Sequence, residues 1–301
     1  MENRQTQNRA QHNYEVLETY LTRPQNWWMY TLIVLVVALI LAWSSGSIQF
    51  KGIATKGADV AKGIGWGLTH PNVDLLLGRI GEDTTVKTVS VFGHELFRIS
   101  TEGVPYLLLQ TIAIAVLGTL IGGLLAVPFS FLACDRIVPK WVAFLVRAFI
   151  LMIRTIPSLV WALVWIRVTG PNAFCGVVTQ SICSIGMISK MYINAIEDLD
   201  TKILESLDAS GCTAFQKIRY GILPQLTANF ISTIIYRFDI NLKDATTLGI
   251  VGAGGIGASL IQAINSRRWG IVGAFLCGMI ALMLVIEFVS TRIRAKLAHG
   301  E

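Results

Sequence analysis

Residues 194–224 read NAIEDLDTKILESLDASGCTAFQKIRYGILP and form a polar segment between two long apolar runs. In the first half, apolar residues recur at helical spacing on one face and charged residues occupy the other face. The apolar residues of that face are Ile196, Leu199, Ile203 and Leu207. Gly211 then supplies a turn. The pattern predicts a water-exposed helix-turn-helix, which we call the polar connector (194–224).

The second half of the polar connector carries its own helix signals. Thr213 and Gln216 have the spacing of a capping box. Phe215, Ile218 and Ile222 form a second apolar stripe. Because proline is favoured in the first turn of a helix, Pro224 is expected to begin the next membrane span.

The composition assigns the chain to the membrane proteins. Its mean hydropathy is +0.59, 53% of its residues are hydrophobic and only 15% are charged. These values lie far from those of a soluble domain. The fold class predicted is therefore an all-α polytopic membrane protein.

Six uncharged or nearly uncharged runs are long enough to cross a hydrocarbon core, which takes about 20 helical residues. The predicted spans are Trp27–Trp43, Val104–Cys134, Trp141–Ile166, Asn172–Ser189, Pro224–Asp244 and Gly270–Ser290. Arg147 and Arg154 interrupt the third span, so its first half is a candidate interfacial helix. The glycine-rich stretch Ala245–Ser266 is a candidate partial or re-entrant segment.

Lysine and arginine near the span ends predict that both termini and the polar connector are cytoplasmic. The cations on that side are Arg4, Arg9, Arg23, Arg136, Lys140, Lys190, Lys202, Lys217, Arg219, Arg292, Arg294 and Lys296. The predicted organisation is a cytoplasmic N-terminal segment (1–26), an additional N-terminal span (27–43), an extracytoplasmic loop (44–103), a core (104–291) that includes the polar connector, and a cytoplasmic tail (292–301). The long polar start argues against a cleavable signal peptide.

Several functional classes find no support in the sequence. The net charge of +6 is explained by the cytoplasmic cations and requires no nucleic-acid partner. Five cysteines without CxxC spacing and four scattered histidines predict neither a disulfide framework nor a metal site. Gly252–Gly257 matches GxGxxG but lacks a surrounding βαβ unit, and no GxxxxGK[ST] motif occurs. We therefore predict no cofactor, no catalytic residue and no enzymatic activity, and any ATP-driven transport requires a separate ATPase.

Three motifs carry a resemblance to a known family. The first motif runs from Glu205 through Gly211, continues for nine further residues and ends with Gly221-Ile-Leu-Pro224. Its spacing is similar to that of the EAA loop of bacterial ABC importer permeases. Ser206 and Leu207 replace its two alanines, and Gly221 replaces an isoleucine. YRFDINLKDATTLGIVGAGGIG (236–257) resembles the signature stretch of the phosphonate ABC transporter permease family, and RTIP (154–157) resembles the start of a core helix in that superfamily. The resemblance covers about residues 110–297.

The resemblance implies a type I ABC importer permease with five core helices, preceded here by one additional span. In the bacterial cell membrane, two such subunits would line a central path, with an ATPase under each and an extracytoplasmic substrate-binding protein. The EAA-type loop would act as a lever in a cleft of the ATPase. The positions that the resemblance assigns to ATPase coupling are Glu205, Asp208, Ala209, Gly211, Leu223 and Pro224. Glu205 would meet a basic residue of the ATPase.

Four charged residues of the fifth span and a neighbouring asparagine are candidates for the substrate path, because ionisable groups inside a membrane usually face protein or a water-filled cavity. The candidates are Arg237, Asp239, Asn241, Lys243 and Asp244. Asp239 and Lys243 are spaced as an ion pair, and Arg237, Asn241 and Asp244 share another face. Two interpretations stay open: neutralisation between helices, or passage of an anion such as a phosphonate. Structural roles are predicted for Arg154, Pro157, Gly252, Gly254, Gly255 and Gly257.

Three functions remain in competition. The first is a permease subunit of an ATP-driven importer of phosphonates or related phosphorus oxyanions. The second is the same machine with another ligand, such as phosphite, thiamine phosphates or methionine. The third is a secondary transporter in which Asp239 and Lys243 relay a proton or an ion. The third gives no account of the polar connector.

Overall fold

The structure, a computed structural model, describes residues 27–47, 57–79, 86–91, 94–135, 137–199 and 201–299. The chain divides into two compact units, residues 1–60 and residues 61–301. The described part of the first unit is mainly the helix Trp27–Ser47, whose apolar side chains are exposed along its length. The predicted cytoplasmic segment 1–26 lies outside the described residues.

The elements are numbered here in chain order. They are α1 (Trp27–Ser47), α2 (Ala58–Thr69), α3 (Val73–Leu76), β1 (Val86–Val91), β2 (His94–Ser100), α4 (Val104–Leu132), α5 (Lys140–Thr155), α6 (Ser158–Thr169), α7 (Ala173–Glu197), α8 (Thr201–Ala209), α9 (Ala214–Gln216), a π-helical segment (Lys217–Ile222), α10 (Leu223–Ile250), α11 (Ile256–Asn265) and α12 (Trp269–His299). The all-α prediction is confirmed for the bundle, and a short hairpin lies outside it.

Helix length and composition agree with a membrane bundle. Among the described residues, four helices are long and apolar enough to cross a membrane, and α5 with α6 makes a fifth span if the pair is counted as one. These four are α1, α4, α7 and α12. Helix α10 has 28 residues, but it carries the four ionisable residues of the predicted fifth span.

The third predicted span, Trp141–Ile166, is wrong as a single helix. Helices α5 and α6 meet at an angle of 88°. The break falls at Ile156, whose backbone is extended (φ −90°, ψ 121°), immediately before Pro157. A proline disfavours the helical conformation in the residue that precedes it, and it donates no backbone hydrogen bond. The structural role predicted for Pro157 is therefore that of a complete helix break, with Pro157 capping α6.

Small residues let α4 cross α7 closely. A Cβ added at Gly118 would overlap the Cβ of Gln180, and one added at Gly122 would overlap the Cβ of Ser184. The two glycines and their two partners are each four residues apart, so one turn of each helix fits against one turn of the other. This crossing brings polar side chains of α7 close to α4 and α10.

Two hydrophobic clusters mark opposite ends of the bundle. The first joins α4, α7, the π-helical segment and α10 through Ala126, Ile196, Ile222 and Leu226, and we call its end the connector side. The second joins the start of α4 to α11 and α12. Helix α12 runs antiparallel to α10, because Arg294 lies over the ring of Tyr236 while Glu287 contacts Lys243. The C-terminal end of α12 therefore lies towards the connector side.

The predicted loop 44–103 contains ordered elements. Strands β1 and β2 form an antiparallel hairpin with a register irregularity between Val89 and Ser90. Gly63 and Gly67 of α2 are buried, and added Cβ atoms there would overlap Trp269 at the start of α12. This GxxxG pair packs the loop helix against the last helix of the bundle.

Candidate functional site: the polar connector and a buried polar cluster

The turn of the polar connector has the geometry that the sequence predicts. Gly211 has a φ of 73°, in the left-handed region that favours glycine. The amide of Cys212 donates to the carbonyl of Leu207 at 3.0 Å, a six-to-one bond that closes the end of α8. A Cβ at Gly211 would meet nothing within 4 Å, so backbone conformation rather than space requires glycine there.

The capping box at the start of α9 is confirmed. The amide of Thr213 donates to Oε1 of Gln216 at 2.8 Å, and the amide of Gln216 donates to Oγ1 of Thr213 at 3.4 Å. The chain then continues through the π-helical segment into α10, where Pro224 occupies the first turn as predicted.

The polar connector has a buried inner side and an exposed outer side. Ile196 and Ile222 are buried in the connector-side cluster, and Leu199 and Ile218 pack against it. Phe215 is 71% exposed and Tyr220 is also exposed. The prediction of a single apolar stripe from Phe215 to Ile222 is therefore wrong at Phe215, which is exposed while Ile218 and Ile222 pack in the cluster.

The residues that the resemblance assigns to ATPase coupling lie on or beside that outer side. Glu205, Ala209 and Gly211 are exposed, as are Leu223 and Pro224 at the start of α10. Asp208 lies on α8, but its side chain is outside the described residues. The connector thus offers a carboxylate, a glycine turn and an exposed aromatic ring to a partner.

A buried polar cluster joins three helices at the centre of the bundle. Asn241 of α10 is fully buried, and its Nδ2 donates to Oγ1 of Thr119 at 2.8 Å and to Oγ of Ser184 at 2.7 Å. Nε of Arg237, 4% exposed, donates to the same Ser184 hydroxyl at 3.4 Å. Nε2 of Gln180 donates to the backbone carbonyl of Asn241 at 2.9 Å. We call these residues, Thr119, Gln180, Ser184, Arg237 and Asn241, the buried polar cluster.

The cluster retains unused hydrogen-bonding capacity. Among the described residues, Oε1 of Gln180, Oδ1 of Asn241 and Oγ1 of the neighbouring Thr179 are buried without a hydrogen-bond partner. A buried acceptor left without a partner costs about 1–3 kcal/mol. The site can therefore accept hydrogen bonds from a water molecule or from a protonated ligand, and Arg237 supplies positive charge beside it.

The other charged residues of α10 face elsewhere. Nζ of Lys243 lies 3.0 Å from Oδ2 of Asp239 and 3.0 Å from Oε2 of Glu287 on α12. Asp244 is half-buried and shares the helix face of Arg237 and Asn241. The structure therefore separates the five candidates, with Arg237, Asn241 and Asp244 on one face and an ion network between α10 and α12 on another.

The glycine-rich stretch forms a tight turn between α10 and α11. Gly252, Gly254 and Gly255 have φ values of 92°, 84° and 79°. The amide of Gly255 donates to Oε1 of Gln110 at 3.1 Å, which ties the turn to α4. A Cβ at Gly257 would overlap the Thr246 carbonyl, so α11 folds back against α10. The turn thus joins α10 to α11, which is a short apolar helix.

Arg154 occupies the end of α5 just before the break. Its aliphatic stem packs on α7, where a Cβ added at Gly186 would lie 3.0 Å from Cγ of Arg154. Its neighbour seven residues earlier, Arg147, binds Oε1 of Glu197 at 2.7 Å and the carbonyl of Ala133. Arg147 thus joins α5 to the ends of α4 and α7 by hydrogen bonds.

Sequence reasoning missed the partners of the buried polar cluster. Thr119, Gln180 and Ser184 are uncharged, and their apolar surroundings hide them in a hydropathy profile. A signal was nevertheless present, because Gln180 and Ser184 are four residues apart, as are Gly118 and Gly122. Matched spacings of small and polar residues on two spans indicate a close polar crossing.

Similar proteins are known from several bacteria. A phosphate-import permease protein of Mycolicibacterium smegmatis is 33% identical over 192 residues, 62% of this chain and 36% of the relative. A putative phosphite transport system permease protein of Stutzerimonas stutzeri is 31% identical over 186 residues, 62% of this chain and 66% of the relative. A putative cryptic phosphonate transport system permease protein of Escherichia coli is 35% identical over 113 residues, 38% of this chain and 93% of the relative. The match thus spans less than two thirds of the first two relatives.

Solved structures share the fold. The methionine ABC transporter in inward-facing conformations aligns with a TM-score of 0.55 and 22% identity over 63% of this chain and 94% of that chain. An amino acid ABC transporter with histidines aligns with a TM-score of 0.53 and 20% identity over 62% of this chain and 91% of that chain. The predicted type I importer permease fold and the resemblance to phosphonate permeases are confirmed. Since residues 118–299 match its description, the chain belongs to the family of binding-protein-dependent transport system inner membrane components.

Proposed function

We propose that the chain is the membrane-spanning permease subunit of an ATP-driven importer of phosphonates or related phosphorus oxyanions. The observation that carries the proposal is the polar connector, whose inner side packs on three helices of the bundle while Glu205, Gly211 and Phe215 stay exposed. The relatives support the ligand class, because their names specify phosphate, phosphite and phosphonate.

The proposed machine has further subunits. A pair of ATPase subunits binds the outer side of the connectors, and Glu205 meets a basic residue of the ATPase. A second permease completes the path, and an extracytoplasmic binding protein delivers the ligand. Both termini face the cytoplasm in this proposal, which the position of the α12 end towards the connector side supports.

The buried polar cluster is the proposed inner wall of the substrate path. Arg237 is suited to phosphate-like oxygens, because its guanidinium presents several donors in a fixed plane. Asn241 holds the hydroxyls of Thr119 and Ser184 beside it. The network of Asp239 and Lys243 has the simpler role of joining α10 to α12.

Uptake into vesicles tests the class and the ligand. The full chain is reconstituted with its candidate ATPase and binding protein, and uptake of a labelled alkylphosphonate is measured with and without ATP. We expect ATP-dependent uptake that the double replacement Glu205→Ala, Gly211→Val abolishes. The control Asp198→Asn, which removes an exposed acid from the same connector, should transport normally. Uptake driven by an ion gradient without the ATPase would favour a secondary transporter. ATPase stimulation without phosphonate uptake would support the ATP-driven importer class but reject phosphonates as the ligand.

A second experiment separates transport from structure at Arg237. Arg237→Ala should lower uptake at least tenfold while the complex still assembles, and Arg237→Lys should retain part of the uptake by keeping the charge. Assembly is followed by co-purification of the ATPase. Loss of assembly in both variants would instead assign Arg237 to helix packing.

A further inference from the structure

A basic cavity lies on the connector side between α5 and α7. Its volume is about 180 Å³. The lining residues are Arg147, Ile150, Leu151, Arg154, Lys190 and Ile193. Three of the six are cations, none is an acid, and the others are aliphatic. The cavity thus combines a basic surface with apolar walls.

The cations descend from the end of the bundle towards its interior. Arg147 is level with Glu197, the last residue of α7, because the two side chains are joined at 2.7 Å. Arg154 is level with Gly186, because its Cγ packs on that glycine. Eleven residues of α7 separate the two levels, while Lys190 lies between them. The three cations therefore span about 10–16 Å along the two antiparallel helices, at 1.5 Å per residue.

Two of the three cations lack a counter-ion. Arg147 is neutralised by Glu197 and by Asp135, 3.5 Å away. Within the described part of the chain, Arg154 and Lys190 form neither a hydrogen bond nor a salt bridge. Unpaired cations at membrane depth are unfavourable, and such residues pair with an anion or reach towards water. Arg154 is exposed and Lys190 is half-buried, so both can bind an anion that enters the cavity from outside.

The surroundings of the cavity specify the kind of anion. Leu151 is 58% exposed at the cavity wall, and Phe144 and Met152 on α5 are also exposed. A freely soluble anion would gain nothing from these apolar side chains, whereas a lipid places its phosphate at the interface and its acyl chains against them. Basic cavities between membrane helices on the cytoplasmic side are known to hold anionic lipid headgroups.

We propose that this cavity binds the phosphate of an anionic phospholipid, with Arg154 and Lys190 as its ligands and an acyl chain lying along Leu151. The lipid phosphate pairs with both cations, which lowers the net charge of the cavity by one, and holds the end of α5 against α7, directly before the break at Ile156. The inference depends on the chain crossing a membrane and not on the substrate. A failure to bind lipid would therefore leave the proposed function untouched.

Native mass spectrometry of the purified full chain tests the proposal. Dissociation constants for phosphatidylglycerol and for phosphatidylcholine are compared in the wild type and in the double variant Arg154→Gln, Lys190→Gln. Each cation removed should weaken binding of the anionic lipid about fivefold, and the double variant about 25-fold, with little change for phosphatidylcholine. The matched control Arg167→Gln removes an exposed arginine from α6, outside the cavity, and should stay within twofold of the wild type.

Leu151→Trp tests the cavity itself without changing any charge. Because Leu151 is a largely exposed wall residue, tryptophan there should fill the cavity, leave the fold intact and weaken phosphatidylglycerol binding at least tenfold. Equal affinity of the double variant and the wild type for phosphatidylglycerol would overturn the proposal. A second outcome would also overturn the proposal. In it, the wild type in phosphatidylcholine nanodiscs binds free methylphosphonate, the double variant Arg154→Gln, Lys190→Gln does not, and neither binds phosphatidylglycerol selectively. The cavity would then be assigned to a soluble oxyanion.

Discussion

Asn241 is the residue that connects the buried polar cluster. Its side-chain amide donates to hydroxyls on α4 and α7, and its own backbone carbonyl accepts from Gln180. Sequence spacing places Asn241 and Arg237 on one face of a helix. It does not identify Ser184 and Thr119 as partners, because they lie 57 and 122 residues away along the chain.

Replacing Asn241 with leucine should lower the free energy of unfolding by about 1–3 kcal/mol, because two buried hydroxyls lose their donor. Unfolding in mixed micelles measures this change. Thr247→Val is the matched control, since Thr247 is exposed on the same helix and bonds only to the local carbonyl of Asp244. Unchanged stability combined with lost uptake would contradict a structural role and place Asn241 in direct contact with the substrate.

Gly211 is required by its backbone and not by its surroundings. Gly211→Val should force a residue with a branched Cβ into the left-handed region, at a cost of about 1–2 kcal/mol. We expect the connector turn to shift, so that ATP is hydrolysed without uptake. The ratio of ligand transported to ATP hydrolysed measures this coupling.

Gly211→Asn is the control for that prediction, because asparagine tolerates the left-handed conformation better than other residues. It should retain most of the coupling. Normal coupling in Gly211→Val would show that the turn angle does not matter to the partner.

Among the helices, the broken third span differs most from its prediction as a single helix. The motif RTIP indicates a kink at Pro157, and the pre-proline effect explains why the break falls at Ile156. The angle of 88° depends on what α6 packs against. Ala162 is buried with Cys175 and Leu248, which belong to α7 and α10. No local rule in α5 or α6 predicts those contacts.

The crossing of α4 and α7 supplies a prediction with a neighbouring control. Gly122→Leu should destabilise the bundle by about 1–3 kcal/mol or more, because its Cβ would overlap Ser184 and force the helices apart. Gly123→Ala should be nearly neutral, since the nearest atoms lie 3.5 Å from the added Cβ. The midpoint of unfolding in detergent distinguishes the two. Equal midpoints would mean that the helices do not pack as closely as described.

The polar connector and the helices α4, α7 and α10 share one hydrophobic cluster. Ile196 and Ile222 are buried with Tyr192, whose ring stacks on Phe230 at 4.0 Å between centroids. We therefore expect a displacement of the connector to move the ends of α7 and α10 together. The buried polar cluster lies farther along the same two helices.

The ion network of Asp239, Lys243 and Glu287 should stabilise the packing of α10 against α12. Lys243→Met leaves the carboxylates of Asp239 and Glu287 without their shared cation, so the temperature of unfolding should fall, chiefly because the carboxylate of Asp239 is buried. The triple variant Lys243→Met, Asp239→Asn, Glu287→Gln should recover most of the loss, because no buried carboxylate is left without a cation. The partly exposed contact of Arg294 with Glu287 at 4.0 Å, which this variant also loses, contributes little. Thermal unfolding in detergent measures both variants. A triple variant less stable than Lys243→Met would contradict this account.

Local sequence patterns are sufficient to predict the membrane class, the connector turn and most helices of the bundle, though not the break between α5 and α6. Each of these depends on neighbours in the chain: hydropathy over about 20 residues sets a span, and φ at Gly211 and the capping box of Thr213 are local. The identity of the polar residues that meet depends on the packing of helices that are distant in the sequence. The contact of Arg237 with Ser184, the separation of Lys243 from that cluster and the cavity beside Arg154 arise because distant helices pack on small residues such as Gly122. Such contacts follow from the shapes of two surfaces, which sequence periodicity does not encode.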